Sequence, residues 1–391
     1  MKLAGFGLNR RALVMLGASM LLAGCQVIPK GPTSSTDGPA PTATPEPTAT
    51  GLPTDDTRHR IALLVPMSGD NGVVGNSIAN ATTMAILDTN ASNLRITTYD
   101  TAGGARAAAR RAISEGNKLI LGPLLANNVP AVLAEARPAD VPLISYSNDT
   151  SVAGPDVFVM GHIPSQSIER TVEFARGRGS SNFAVIAPTG SYGDTARSAV
   201  NDAVREFGGR VVATETYTRG NTSIVSAAQR LVQQGGFETV LIADGARLAA
   251  LAAAELRPAG DGTTQLLGTE LLSGEAGVTR TSAMQGLLFS AVSDGRFKRF
   301  SDSYKGRFGG QPYRISTLGY DSVLLTLRVA RDWRIGSTFP INELRSEDGF
   351  LGLDGAFRFN RRGLIERAME VREVQDGRVV IVSAAPSTFS D

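Results

Sequence analysis

From Arg60 onward the chain alternates short runs of β-favouring side chains with longer amphipathic stretches, and no other feature restricts its fold as strongly. A strand that is followed by a helix can return to lie parallel to its predecessor, so this alternation specifies an α/β fold of parallel sheets flanked by helices. Strands are expected at Ile61 to Met67, Leu94 to Tyr99, Leu119 to Leu121 and Val141 to Tyr146. A second set follows at Phe183 to Ala187, Arg210 to Tyr217, Thr239 to Ala243, Leu266 to Gly268 and Leu287 to Ala291. Helical spacing marks 103–115, 165–178, 194–207, 222–235 and 245–257 between them. Beyond residue 310 the order changes to a long amphipathic helix from about Ser316 to Asp332, then GFLGLDGAFRFN and a final run from Met369 to Val382. A tail that stops alternating implies elements that cross back to complete earlier sheets. No internal repeat of the length used by helical solenoids is visible.

The sequence has 391 residues, 42% hydrophobic and 19% charged, enough to bury a core of two lobes. No basic stripe interleaved with aromatics is present, so nucleic acid is not an expected partner. The formal charge of +2 includes Lys2, Arg10 and Arg11, which sit in a segment expected to be removed, leaving 2 − 3 = −1.

That segment, residues 1–24, has a basic start, an apolar stretch from Ala12 to Ala23 and small residues before Cys25, the layout of a secretory signal peptide. The tetrad Leu22-Ala23-Gly24-Cys25 resembles the bacterial lipobox, which implies cleavage before a lipid-modified Cys25. Cys25 is the only cysteine, so the folded part has no internal disulfide and no thiolate metal site. By the same resemblance Gln26, where an aspartate would favour inner-membrane retention, implies an address at the periplasmic face of the outer membrane. The membrane is then met through the lipid alone. Residues 25–58 form the anchor and a Pro/Thr-rich tether with almost nothing to bury. At about 3.1 Å per residue such a leash reaches on the order of 90 Å.

Catalytic and metal patterns are missing from the sequence. The two histidines are His59, placed at the end of the tether, and His162, in a Gly-His-Ile-Pro loop where a lobe crossing or a satisfied polar contact is the expected role. No phosphate loop, nucleophile elbow or zinc-protease helix is found, so neither an enzyme nor a cofactor or metal site is expected. Polar turns at strand ends are the more informative feature, because ligands of open α/β sheets bind at the carboxyl ends of strands. Ser68, in a glycine-rich turn before the first helix, could hold an anion on free N–H groups or serve only to make the turn. The run Ser145-Tyr146-Ser147-Asn148 ends one strand, and Tyr192 and Asp244 follow strands of the second set. Each could line a cleft or simply cap a turn.

The pieces IALLVPMSGDNGVVG, ILGPLLANNV, VPLISYSND, NFAVIAPTGSYGD and GLDGAFRFNRRG together resemble the type I periplasmic-binding family, the branched-chain amino acid receptors. The resemblance covers residues 59–391 and implies two α/β lobes joined by crossing strands around a cleft. It places lobe 1 at about 59–163 plus 290–345 and lobe 2 at about 164–289 plus 346–391. The turn Gly122-Pro123-Leu124-Leu125-Ala126 is most similar to the carboxyl-terminal domain of outer-membrane penicillin-binding protein activators, lipoproteins that stimulate a peptidoglycan synthase. The known activators carry a helical-repeat domain where a Pro/Thr-rich linker stands here. Amino acid receptors commonly have a serine at the position of Ala126, and its hydroxyl holds the ligand carboxylate. One lost hydrogen bond to a charged group costs about 1.5 to 3 kcal/mol, so the resemblance favours a regulator that binds a synthase over a receptor for an amino acid. The receptor stays as the alternative, with Asp244 available to pair with an ammonium.

Overall fold

A computed structural model of the chain describes residues 57–257 and 264–389. Cys25 and most of the tether lie outside the described residues. The first sheet is built by β1 (His59–Val65), α1 (Gly72–Thr89), β2 (Leu94–Asp100), α2 (Ala105–Ser114), β3 (Leu119–Leu121), α3 (Val129–Ala136), β4 (Leu143–Ser145) and β5 (Val157–Val159). Its strands are all parallel, in the order β2-β1-β3-β4-β5.

The chain then enters α4 (Pro164–Gly177), β6 (Asn182–Pro188), α5 (Ser191–Phe207), β7 (Arg210–Tyr217), α6 (Ser223–Gln234), β8 (Thr239–Ile242), α7 (Ala246–Leu256), β9 (Gln265–Leu267) and β10 (Leu288–Ala291). These five strands repeat the order of the first sheet, as β7-β6-β8-β9-β10. Thus the second lobe duplicates the first with a spacing of 182 − 59 = 123 residues, far beyond the period of a solenoid. One detail of packing is duplicated as well. Gly75 on α1 and Gly193 on α5 each lie so close to a proline carbonyl at the end of the preceding strand, that of Pro66 just after β1 or of Pro188 closing β6, that an added Cβ would collide with it.

The remainder of the chain crosses between the lobes: α8 (Gly295–Phe308), α9 (Thr317–Val329), β11 (Phe350–Gly352), β12 (Gly355–Phe359), β13 (Ile365–Arg367), β14 (Glu370–Gln375) and β15 (Arg378–Ser383). β14 and β15 extend the second sheet antiparallel beyond β10, with Leu288 opposite Glu373. β11, β12 and β13 form a separate antiparallel sheet whose Phe350, Phe357, Phe359 and Ile365 are buried with Ile61, Leu63 and Phe158 of the first lobe. The division at residue 346 inferred from resemblance therefore does not follow the packing. Residues 350–367 join the first core because their aromatic side chains are buried there, and the chain returns to the second sheet only at Glu370.

The segments that pass between sheets are 160–163, 292–294 and 368–369, and a continuous set of charges ties them together. Asp354, fully buried between β11 and β12, accepts hydrogen bonds from His162 (2.8 Å), Thr317 (2.8 Å) and Arg314, with Arg367 at 3.8 Å. Arg314 lies 3.9 Å from Asp294, whose other oxygen meets Arg372 at 2.5 Å, and Arg372 also binds Glu370 at 2.7 Å. Burial alone would raise Asp354, but Arg314, His162 and Arg367 outweigh it and hold the carboxyl far below its ordinary range.

Residue 59 departs from expectation. His59 opens β1, is 3% exposed and stacks on the single tryptophan, Trp333, with ring centroids 4.1 Å apart at 17°. It pairs with Leu94 at the start of the ladder and so is part of the fold, not of the tether. The apolar run that follows cannot show where pairing with β2 begins.

Candidate functional site

In both lobes the strand order reverses beside the first strand of the set, between β1 and β3 and between β6 and β8, which is where such sheets leave room for a ligand. The first-lobe turns meet there. Gly122, with φ +99 and its α-carbon against the Leu64 carbonyl, can only be glycine, and a cis bond joins it to Pro123. Leu124 is 9% exposed and Leu125 packs on the first core, so both serve the core rather than a cleft. Ala126 is half-buried and opens a short 3-10 turn that leads into α3.

Ser68, Ser145 and Tyr146 of this lobe are already hydrogen-bonded within the protein, whereas the Thr101 hydroxyl is buried without a partner. Ser68, exposed, donates to Asp100 at 3.2 Å, and the Met67 and Ala102 N–H groups hold the Asp100 carboxyl below its ordinary range. Ser145 is fully buried and donates to the Pro123 carbonyl at 3.2 Å. Tyr146 is 1% exposed, shares a 2.7 Å hydrogen bond with Ser322 and belongs to the core. Its place at the end of a strand suggested the cleft, but its ring points to the face that α9 covers. Ser147 accepts the Asp149 N–H at 3.0 Å, and Asn148 is exposed.

The second-lobe turns form a connected cluster. Asp244 is 8% exposed, accepts Arg219 Nε at 2.8 Å, the Tyr217 hydroxyl and the Gly245 N–H at 2.8 Å, and so has no oxygen left unbonded. The Arg219 guanidinium also lies 5.0 Å from the centre of the Tyr192 ring. Tyr192 donates to Glu270 Oε1 at 3.1 Å and is 2.8 Å from the Thr269 hydroxyl. Burial, with the nearby Glu270 charge, keeps this phenol protonated well above its ordinary range. The other Glu270 oxygen, Oε2, is buried without any partner, and burial pushes the carboxyl up to about 7.

Arg219, Tyr217 and Glu270 were not singled out in the sequence. A signal for Glu270 was present, because Thr269-Glu270 directly follows the apolar Leu266-Leu267-Gly268 just as the other polar turns follow their strands. No hydrogen bond among the described residues joins the first-lobe turn residues to the second-lobe cluster. His162 is held by Asp354 and bonds to neither group of turn residues, and no set of three His, Cys, Asp or Glu side chains among the described residues could hold a metal ion. The arrangement offers one unpaired carboxylate oxygen, Glu270 Oε2, beside the Tyr192 phenol, which suits a hydrogen-bond donor such as an amine, while Ser68, Ser145 and Tyr146 on the first lobe are bonded within the protein.

A periplasmic binding protein family profile matches residues 59–378. The chain belongs to the periplasmic binding protein family. An uncharacterized protein of Rickettsia prowazekii is 27% identical over 173 residues, which span 44% of this chain and 46% of that protein. Among solved structures, a putative branched-chain amino acid ABC transporter protein from Rhodospirillum rubrum is 19% identical with a TM-score of 0.72, covering 83% of this chain and 100% of its own. The C-domain of LpoA from Haemophilus influenzae, a regulator of PBP1A, is 20% identical with a TM-score of 0.66 over 83% of this chain and 99% of its own. At these identities the structural likeness is one of fold, two α/β lobes with parallel sheets flanked by helices.

Proposed function

We propose that this periplasmic-binding fold is used without catalysis to regulate peptidoglycan synthesis, by binding a penicillin-binding synthase from a lipid anchor at Cys25 on the periplasmic face of the outer membrane. One observation carries the reading: the first-lobe turn ends in Ala126, and the hydroxyls of Ser68, Ser145 and Tyr146, at the ends of other strands of this lobe, are bonded within the protein. A receptor needs free donors there for a ligand carboxylate, whereas a docking protein does not. The likeness to the C-domain of a PBP1A regulator supports the same use. Adding the purified full chain to a reconstituted synthase should form a complex and change the rate of glycan polymerisation or crosslinking. Unchanged rates together with no complex in light scattering overturn the reading.

The unpaired Glu270 Oε2 favours a second reading, a receptor for an amino acid or another small amine. The likeness to amino acid transport proteins fits it equally. Calorimetric titration with free amino acids distinguishes the two. Binding that is lost in Glu270→Gln would replace the first reading by the second.

A further inference from the structure

We infer that the groove between α9 and the edge strand β11 is a docking site for a protein segment that carries apolar side chains flanked by carboxylates. It is a concavity of about 480 Å³. Leu324, Leu327 and Phe350 line it, and Leu351, 56% exposed, stands at its edge. Exposed leucine at the end of a three-stranded sheet leaves an apolar surface that water covers only at a cost. β11 pairs with β12 on one side only, so its other edge has no strand partner among the described residues.

Charge decides what fits. Arg328 and Arg331, both exposed, line the groove, and Arg328 lies 5.8 Å from the centre of the Phe350 ring. Neither makes an ion pair among the described residues, although many of the other arginines do, as Arg106 and Arg110 do with Glu135. The nearby acids Asp332, Glu347 and Asp348 pair with neither. Asp321, at the base of the groove, is fully buried and accepts the Leu353 N–H at 2.6 Å, which removes it from the surface. An apolar floor beside two uncompensated guanidinium groups is complementary to an acidic amphipathic segment, whose carboxylates take bidentate hydrogen bonds from arginine. A lipid bilayer is flat and would leave the concavity unfilled. This site is independent of whether the fold acts as a regulator or a receptor.

The test uses two fluorescent amphipathic peptides about four turns long, with the same leucine pattern and flanked by glutamate in one and lysine in the other. Titrated with the full chain, the glutamate peptide should bind at least tenfold more tightly than the lysine peptide and weaken as salt is raised. Its affinity should fall tenfold or more in Arg328→Glu/Arg331→Glu and be kept in Arg361→Glu/Arg362→Glu, whose positions lie outside the groove. If the charge-reversed chain does not fold by circular dichroism, Arg328→Gln/Arg331→Gln provides the same comparison. Equal binding of both peptides, no binding, or binding that survives the substitutions overturns the inference. So does displacement of the bound glutamate peptide by phosphatidylglycerol vesicles but not by phosphatidylcholine vesicles, which would make the surface a membrane site.

Discussion

His162 Nε2 lies 2.8 Å from Asp354 Oδ2, joining the segment that leaves the first sheet to the turn between β11 and β12. The hydrogen bond belongs to a set of charges where all three inter-lobe segments meet. Burial lowers the His162 pKa despite the pull of Asp354, so at neutral pH the ring is an uncharged donor and Asp354 is balanced by Arg314 and Arg367. Asp354→Ala would leave Arg367, itself fully buried with Nε and Nη1 unpartnered, without its counter-charge. The expected loss is about 3 to 5 kcal/mol. Urea unfolding should show it, with His162→Ala costing less, about 1.5 to 3 kcal/mol, because one hydrogen bond to the Asp354 carboxylate is removed and the arginines remain.

The same cluster gives stability two opposed dependences on pH. Asp321 is pushed up to about 7 by burial and then by the Asp354 charge. A folded pKa above the unfolded value means that stability is full below about pH 4 and declines as pH rises toward 7. Asp354 is depressed, so its contribution is present above the unfolded carboxylate range and is lost as pH falls below it. The expected profile rises from pH 8 toward mildly acidic pH and then collapses in acid. Asp321→Asn should flatten the rise and leave the acid collapse, as read from denaturant midpoints across pH.

Trp333 is the only tryptophan, and its contact with His59 makes intrinsic fluorescence a local probe. Burial lowers the His59 pKa, and its Nδ1 is enclosed without a partner. A histidine with a depressed folded pKa stabilises above its unfolded pKa near 6.5 and loses that contribution as pH falls through the folded value. Protonation against the indole should quench Trp333 in that acidic range while far-ultraviolet circular dichroism is unchanged. His59→Leu should abolish the quenching step.

How much of this was legible in the sequence depends on how local the determinants are. β3 at Leu119–Leu121 and β7 at Arg210–Tyr217 follow directly from apolar runs and alternation, and α2, α4 and α6 from helical spacing. Helix α8 was not anticipated because only Phe300 and Tyr304 on it are buried, too few to produce an apolar stripe. The return of β14 to β10, at Leu288 opposite Glu373, was indicated by the tail that stops alternating, but its register rests on contacts between distant residues. Strand ends located the candidate turns correctly in sequence, but alternation does not reveal which face another element covers. Tyr146 is therefore in the core, whereas Glu270, two residues beyond an expected strand, carries the unpaired oxygen.

Tyr146→Phe tests that reassignment. It removes one hydroxyl from a buried pair, and Ser322 keeps its hydrogen bond to the Gly319 carbonyl at 3.0 Å. The expected cost is about 1 kcal/mol of stability, measured by thermal or urea unfolding, with no effect on binding of a partner or solute.

Glu270→Gln tests the second-lobe cluster without a ligand. Burial raises the Glu270 carboxyl to about 7 from 4.5, so ionisation is penalised in the folded state and not in the unfolded one. The penalty is absent below about pH 4, grows between the two values and is complete above about pH 7. Glutamine can still accept the Tyr192 hydrogen bond but cannot ionise, so the variant should match the parent at pH 4 and exceed it at pH 8 by on the order of 3 kcal/mol. An amine seated on Glu270 would cancel the penalty in the parent alone, because its charge would replace the solvation lost by Oε2. A difference at pH 8 that amino acids do not reduce agrees with the regulator reading, and one that a particular amino acid erases identifies the ligand of a receptor.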